Sequence, residues 1–145
     1  MKNEIFNTFY GKDEVGVYHK FQEIEKSIED SDYLYQYFDD IKNMLISDKS
    51  YIRVRGFKIL CQLSKYDSED KIIDIFNILM SIFDDEKPTA LRQALMALPT
   101  LLINKPELIK KVKIKLKNID YSKYKNTMQP LIKKDIDFIF KKFND

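Results

Sequence analysis

The chain has 145 residues, of which 44% are hydrophobic and 13% aromatic; this composition excludes a disordered polar chain and fits one domain. It contains three glycines and four prolines, too few for the many tight turns of an all-β protein. The net charge is +2, but residues 105–145 hold 12 lysines and 5 acids (net +7), which leaves 13 basic and 18 acidic residues (net −5) in the remainder.

The single cysteine and the lack of long apolar runs bear on location. Cys61 has no internal disulfide partner, which favours a reducing compartment. Residues 1–14 lack the apolar core of a signal peptide. The longest apolar run, residues 72–83, is interrupted by Asp74 and Asn77 and is too short to span a bilayer. We therefore expect a cytoplasmic protein that does not contact a membrane.

Apolar residues recur every three or four positions along most of the chain, which is the pattern of amphipathic helices. Residues 1–12 precede the first apolar stripe, and we expect them to be a loosely ordered segment. The chain as a whole, residues 1–145, is predicted to form a single all-α domain of about seven helices. These helices are predicted at residues 13–29, 33–46, 50–65, 70–83, 88–104, 107–119 and 125–143.

Prolines and one alternating segment qualify this assignment. Pro88 fits the first turn of a helix, where the missing N–H is not needed, whereas Pro99 is predicted to kink its helix or end it early. Pro130 either begins the last helix or follows a shorter one. Residues 111–117 alternate lysine with apolar residues as a strand does, but the chain offers no second strand to pair with them, so we predict a helix.

A sequence repeat with a period of 37 residues is the most specific feature of the chain. The segment DKSYIRVR that begins at Asp48 aligns with DEKPTALR that begins at Asp85, so that Arg55 falls on Arg92. Weaker copies lie toward both ends of the chain. Degenerate outer copies are typical of the ends of a repeat stack.

This pattern resembles the HEAT repeat, in which an apolar helix A, a short turn with an aspartate and a helix B opening with Val-Arg form one hairpin. The resemblance implies a short right-handed α-α superhelix of such hairpins. It also implies a ladder of contacts along the stack, formed here by Asp48 with Arg55 and by Asp85 with Arg92. Arginine suits such a ladder because its planar fork binds a carboxylate through two hydrogen bonds.

Residues 50–136 resemble more closely small bacterial HEAT-like proteins of unassigned role, through the stretches YIRVRGF, DEKPTALRQA and DYSKYKNTMQPL. Some of those proteins carry a label tied to the SufB/SufD iron–sulfur scaffold. Iron–sulfur assembly needs thiolates or other ligands, and this chain has one cysteine and one histidine. We therefore expect no metal and no cofactor.

The residue pattern offers no catalytic constellation. Glu23 lies one helical turn from His19, the only histidine, and could orient its ring, but no nucleophile accompanies them. Cys61 lies on the apolar side of its predicted helix, as a buried structural thiol does. Acid pairs at residues 39–40, 84–85 and 135–137 fall at turns or on outer helix faces, where capping and solvation explain them. We expect that the chain is not an enzyme.

The lysines of residues 105–145 support an alternative, nucleic-acid binding. Lysines can contact phosphates, and the interleaved Tyr121 and Tyr124 could stack on bases. HEAT-like DNA glycosylases bind duplex DNA on a basic concave face. They resemble one another partly through a tryptophan-containing site, however, and this chain has no tryptophan.

The HEAT resemblance implies a concave face lined by the B helices, and that face supplies the candidate binding residues. We predict a non-catalytic protein–protein interaction scaffold whose partner is a protein, with nucleic acid as the alternative. The acidic front and basic back also predict weak head-to-tail self-association. The candidate partner contacts are Arg53, Lys58, Gln62, Gln93, Met96, Lys133 and Asp137.

Overall fold

The computed structural model describes residues 1–144, and every regular element in that range is a helix. The all-α class predicted from periodicity is therefore confirmed. Short 3-10 helices at Tyr33–Tyr37, Ser64–Tyr66, Ser81–Asp84, Pro106–Leu108 and Tyr121–Lys123 extend or connect the α-helices. The α-helices of residues 1–144 are α1 (Lys2–Phe9), α2 (Val15–Ser27), α3 (Phe38–Met44), α4 (Ser50–Leu63), α5 (Lys71–Asp74), α6 (Phe76–Met80), α7 (Pro88–Asn104), α8 (Ile109–Lys117) and α9 (Gln129–Lys142).

Consecutive helices pack against each other in pairs. Helix α1 contacts α2, α3 contacts α4, and the 3-10 helix that follows α6 contacts α7. Helix α8 lies beside α9, where the ammonium groups of Lys113 and Lys117 each lie 5.8 Å from the centre of the Phe140 ring. Each pair buries its apolar stripes in one continuous core, which supplies most of the folding free energy because nonpolar surface leaves water.

The second helices of these pairs run side by side in one direction. At the N-terminal ends of α4 and α7, Arg53 Nε donates to Asp85 Oδ2 at 2.9 Å. At their C-terminal ends, Asn104 Nδ2 donates to Ser64 Oγ at 3.0 Å. Contacts at matching ends require that α4 and α7 are parallel.

The same reasoning extends the layer to α9. The Tyr124 hydroxyl, just before α9, donates to the carbonyl of Asp85, just before α7. Further along both helices, Arg92 Nε donates to Asp135 Oδ2 at 2.7 Å. Helices α7 and α9 are therefore parallel as well.

Helix α2 completes the layer on the other side of α4. The Arg55 guanidinium, near the start of α4, donates to the carbonyl of Gly11 before α2 at 2.7 Å. Beyond the end of α4, the Tyr66 hydroxyl donates to the carbonyl of Ile28 at the end of α2. Helices α2, α4, α7 and α9 thus form one layer of parallel helices, called the parallel layer below.

The structure corrects the expectation that residues 1–12 are loosely ordered. They form α1, whose Ile5 and Phe9 are buried in the core. The Phe9 ring packs edge to face on Phe21 of α2 at 5.9 Å between centroids. Two buried side chains are too few to produce a visible periodicity, which is why the sequence did not predict this helix.

One further helix differs from the prediction, and of the two effects predicted for Pro99 an early end does not occur. The predicted helix at residues 70–83 is broken into α5, α6 and a 3-10 turn. Helix α7 continues past Pro99 to Asn104, so Pro99 does not end it early. Leu98 and Leu101, on either side of this proline, are fully buried, and their packing holds the helix together where the hydrogen bond of the proline nitrogen is missing.

Other predictions of helix ends are confirmed. Pro88 lies in the first turn of α7, and Pro130 lies in the first turn of α9. The alternating lysine segment is helical, in α8. In addition, the structure shows that Asp67 accepts hydrogen bonds from the backbone N–H groups of Lys71 and Ile72, and so caps α5.

Helices α3 and α4 approach closely at a glycine, which gives a prediction. A Cβ atom at Gly56 would lie 2.8 Å from Met44 Cβ, whereas a Cβ at Gly16 in α2 would meet nothing within 4 Å. We expect Gly56→Ala to lower the free energy of unfolding by about 1–3 kcal/mol through overpacking. Gly16→Ala, in the first turn of α2, should change it by less than about 1 kcal/mol, because helix propensity counts for less there than in a helix interior.

Urea denaturation followed by circular dichroism measures both substitutions on the same scale. Gly16→Ala is the matched control, since it makes the same chemical change in a helix without a close neighbour. Equal effects of the two substitutions would contradict the close approach of α3 and α4 at Gly56.

Candidate functional site

A groove runs along α4 between the walls formed by α2 and α7, and it is called the α4 groove below. It consists of cavities of about 250, 180 and 150 Å³ that share lining residues. Gln62 and Thr100 line both the 250 Å³ and the 180 Å³ cavities. Lys58 and Gln93 line both the 250 Å³ and the 150 Å³ cavities. The groove is therefore lined by three helices of the parallel layer.

The polar groups that line the α4 groove include a glutamate of α2 and a lysine and a glutamine of α4. Glu25 of α2 lies 3.7 Å from the Lys58 ammonium group, which also lies 5.3 Å from the centre of the Phe21 ring. Burial raises the pKa of the Glu25 carboxyl, and Lys58 partly offsets this effect. Among residues 1–144, Gln62 Oε1 is buried without a hydrogen-bond donor. An unpaired buried acceptor lowers the stability of the fold.

The structure brings together four of the seven predicted partner contacts. Lys58 and Gln62 of α4 and Gln93 and Met96 of α7 all line the largest cavity of the α4 groove. Met96 is 74% exposed. The α2 wall with Glu25 was not predicted, because the contact between α2 and α4 is not visible in local periodicity.

The other three predicted contacts lie elsewhere. Arg53 lies where the N-terminal ends of α4 and α7 meet. It binds Asp85 there and donates to the carbonyl of Ser47 at 2.8 Å. Lys133 and Asp137 are exposed on α9 and pair with each other at 2.9 Å. None of the three lines the α4 groove.

The predicted pairs of the Asp–Arg ladder are wrong, although arginine–aspartate contacts do join the helices of the parallel layer. Asp85 binds Arg53 instead of Arg92, and Arg92 binds Asp135. Arg55 donates to backbone carbonyls before α2. Asp48 is exposed and has no salt-bridge partner within residues 1–144.

The structural register of the two repeat copies also differs by one residue from the sequence repeat. Helices α4 and α7 begin at Ser50 and Pro88, 38 positions apart rather than 37. With that offset, buried positions coincide: Gly56 falls on Ala94 and Leu60 on Leu98. A shift of one residue turns a helical side chain by about 100°. Arginines aligned by sequence therefore point to different neighbours.

The candidate chemical groups are placed as follows. Cys61 borders the α4 groove but is fully buried, and this burial raises the pKa of its thiol, as expected of a structural cysteine. His19 is exposed on α2 beside Tyr18, with 5.9 Å between ring centroids. In the described part of the chain no group of three or more His, Cys, Asp or Glu side chains is arranged to hold a metal ion.

Part of the basic C-terminal third is occupied by internal contacts. Tyr124 is buried and donates its hydroxyl proton to the Asp85 carbonyl, so its ring cannot stack on a base. Lys115 Nζ lies 2.7 Å from Asp84 Oδ2, and Lys123 Nζ donates to the Asp84 carbonyl at 3.2 Å. Lysines of α9 remain exposed.

Within residues 1–144 none of the helices has the length and apolar character needed to cross a membrane. The chain matches no protein-family model, no curated protein and no solved structure.

Proposed function

We propose that this chain is a non-catalytic scaffold of the HEAT-repeat kind, and that its α4 groove binds a segment of a partner protein. The paired helices and the parallel layer support a short right-handed superhelix of hairpins, with the parallel layer as its concave face. Repeat stacks of this kind present extended concave surfaces to their partners.

The observation that carries the proposal is the convergence of Lys58, Gln62, Gln93 and Met96 on one groove. Such a groove offers an apolar contact at Met96 and hydrogen-bonding groups at Gln62 and Gln93. A peptide backbone supplies N–H donors and carbonyl acceptors that match the polar side chains lining the groove. A protein segment matches this mixture of groups.

Site-specific photo-crosslinking tests the proposal. A benzophenone amino acid replaces Gln93, which is exposed in the α4 groove, and the full-length chain is irradiated in cells that express it. We expect a defined protein adduct. The matched control places the same group at Ile114 on α8, which is 62% exposed and lies outside the parallel layer, and should give none.

The nature of the adduct separates the protein partner from the alternative. An adduct that is destroyed by protease and resists nuclease supports a protein partner. A nuclease-sensitive adduct would assign the groove to nucleic acid, and equal adducts from positions 93 and 114 would contradict a specific groove.

A further inference from the structure

An exposed apolar strip follows the junction of α7 and α9. Met96 and Ile103 of α7 are 74% and 63% exposed, and Leu131 and Phe138 of α9 are 39% and 58% exposed. On each helix the two residues are seven positions apart, which places them on the same face two turns from each other. These four side chains are called the α7–α9 strip below.

The Arg92–Asp135 ion pair shows that the two halves of the strip face the same cleft. Its N–O distance of 2.7 Å fixes the sides on which α7 and α9 meet. Met96 lies one turn after Arg92, and Leu131 lies one turn before Asp135. Residues three or four apart share a helix face, so the strip borders the cleft. The exposure of its members places them on the open side.

The surroundings of the strip are positive. Three exposed lysines of α9 lie on faces that adjoin Phe138. They are Lys134, four residues before it, and Lys141 and Lys142, three and four residues after it.

The acidic residues near the strip are paired with basic side chains. Asp135 is neutralised by Arg92, and Asp137 by Lys133. Helix α7 contains no acidic residue. The charge around the strip therefore complements an acidic ligand.

We propose that the α7–α9 strip binds an amphipathic helix with an acidic polar face, contributed by the partner protein. The proposal rests on the proposed function in one respect, since Met96 also lines the α4 groove. A spacing of seven residues corresponds to about 10.5 Å along each helix. A helix docked along the cleft matches that spacing with apolar residues at i, i+3 or i+4, and i+7.

Peptide binding to the full-length chain tests this. Two fluorescein-labelled 18-residue helical peptides share one leucine stripe, and their other positions are glutamate in one and lysine in the other. We expect fluorescence anisotropy to show binding of the glutamate peptide at least about tenfold tighter than of the lysine peptide, with affinity that falls as salt rises. Equal binding of both peptides, or binding of neither, would overturn the proposal.

Substitutions locate the binding site. Phe138→Ala should weaken binding of the glutamate peptide by about tenfold, because the loss of one aromatic side chain that becomes buried on binding has an effect of this size on affinity. Ile114→Ala, at a similarly exposed position on α8, should leave it unchanged. An equal loss in both variants would also overturn the assignment. Circular dichroism confirms that each variant is folded.

Three further outcomes are distinguishable. If sedimentation shows a dimer that Phe138→Ala dissociates, the occupant is a second copy of the chain, and the proposal of a partner helix is wrong. If the Gln93 position captures a protein while the glutamate peptide does not bind, the strip proposal fails and the proposed function stands. The reverse result leaves the strip as a binding site and rejects the α4 groove.

Discussion

Asp67→Ala is expected to lower the free energy of unfolding by about 3 kcal/mol, because it strips a buried polar cluster of its shared acceptor. Asp67 is 2% exposed. Its carboxylate accepts hydrogen bonds from the Tyr35 hydroxyl at 2.6 Å and from the N–H groups of Lys71 and Ile72 at 2.9 and 3.0 Å. It also lies 3.4 Å from the buried ammonium group of Lys105.

Asp70→Asn is the control for this prediction. Asp70 also binds Lys105, at 2.8 Å, but its side chain is largely exposed. Exposed ion pairs contribute at most about 1 kcal/mol, and asparagine tolerates the left-handed backbone of this position (φ 55°). Urea denaturation should show a clear loss for Asp67→Ala and a small one for Asp70→Asn. Similar losses would contradict the role of Asp67 as the shared acceptor.

The same carboxylate predicts a pH dependence. Burial acts to raise the pKa of Asp67, but hydrogen bonds from Tyr35, Ile72 and Lys71 outweigh it and hold the pKa below its ordinary value of 3.8. A lowered folded-state pKa contributes stability above the unfolded-state value, and this is lost as pH falls through the folded-state value. Below about pH 4 the stability gap between the wild type and Asp67→Ala should therefore narrow.

Arg55→Ala is expected to lower the free energy of unfolding by about 2–3 kcal/mol, because charged hydrogen bonds to one buried and two partly buried carbonyls are lost. Arg55 is 7% exposed. Its guanidinium donates to the carbonyls of Phe9 at 2.9 Å, of Gly11 at 2.7 Å and of Lys12 at 3.2 Å. It thereby ties the connection between α1 and α2 to α4.

The loss should be local, which hydrogen exchange can measure. In Arg55→Ala the amides of α1 and α2 should exchange faster, while those of α9 keep their protection. Arg92→Ala is the matched control, since it removes an arginine from the junction of α7 and α9 and should spare α1. Unchanged exchange of α1 in Arg55→Ala would show that Arg55 does not anchor this hairpin.

Those parts of the fold that depend on local pattern were predictable. The helix from Pro88 to Asn104 was predicted with the bounds that the structure gives, because a proline starts it and a long apolar stripe runs through it. The segment at residues 111–117 was correctly assigned as helical by the absence of a partner strand. Four of the seven candidate contacts, which were taken from the concave face that the HEAT resemblance implies, line the α4 groove, and their role in binding stays a prediction.

Contacts between distant parts of the chain were not predictable in the same way. The target of Arg55 is a set of backbone carbonyls, and a carbonyl has no sequence signature. The choice of Asp135 as the partner of Arg92 depends on how α7 and α9 pack. Arg55 faces the connection before α2 and Arg92 faces α9, so neither arginine binds the aspartate of its own repeat copy.

Hydrogen exchange of the full-length chain can show whether the parallel layer is the face that binds the partner. Exchange is measured with and without the protein captured by the benzophenone at position 93. If the partner binds the parallel layer, we expect added protection in α2, α4, α7 and α9 and none in α3 or α8. Added protection centred on α3 and α8, with the parallel layer unchanged, would contradict binding at that layer.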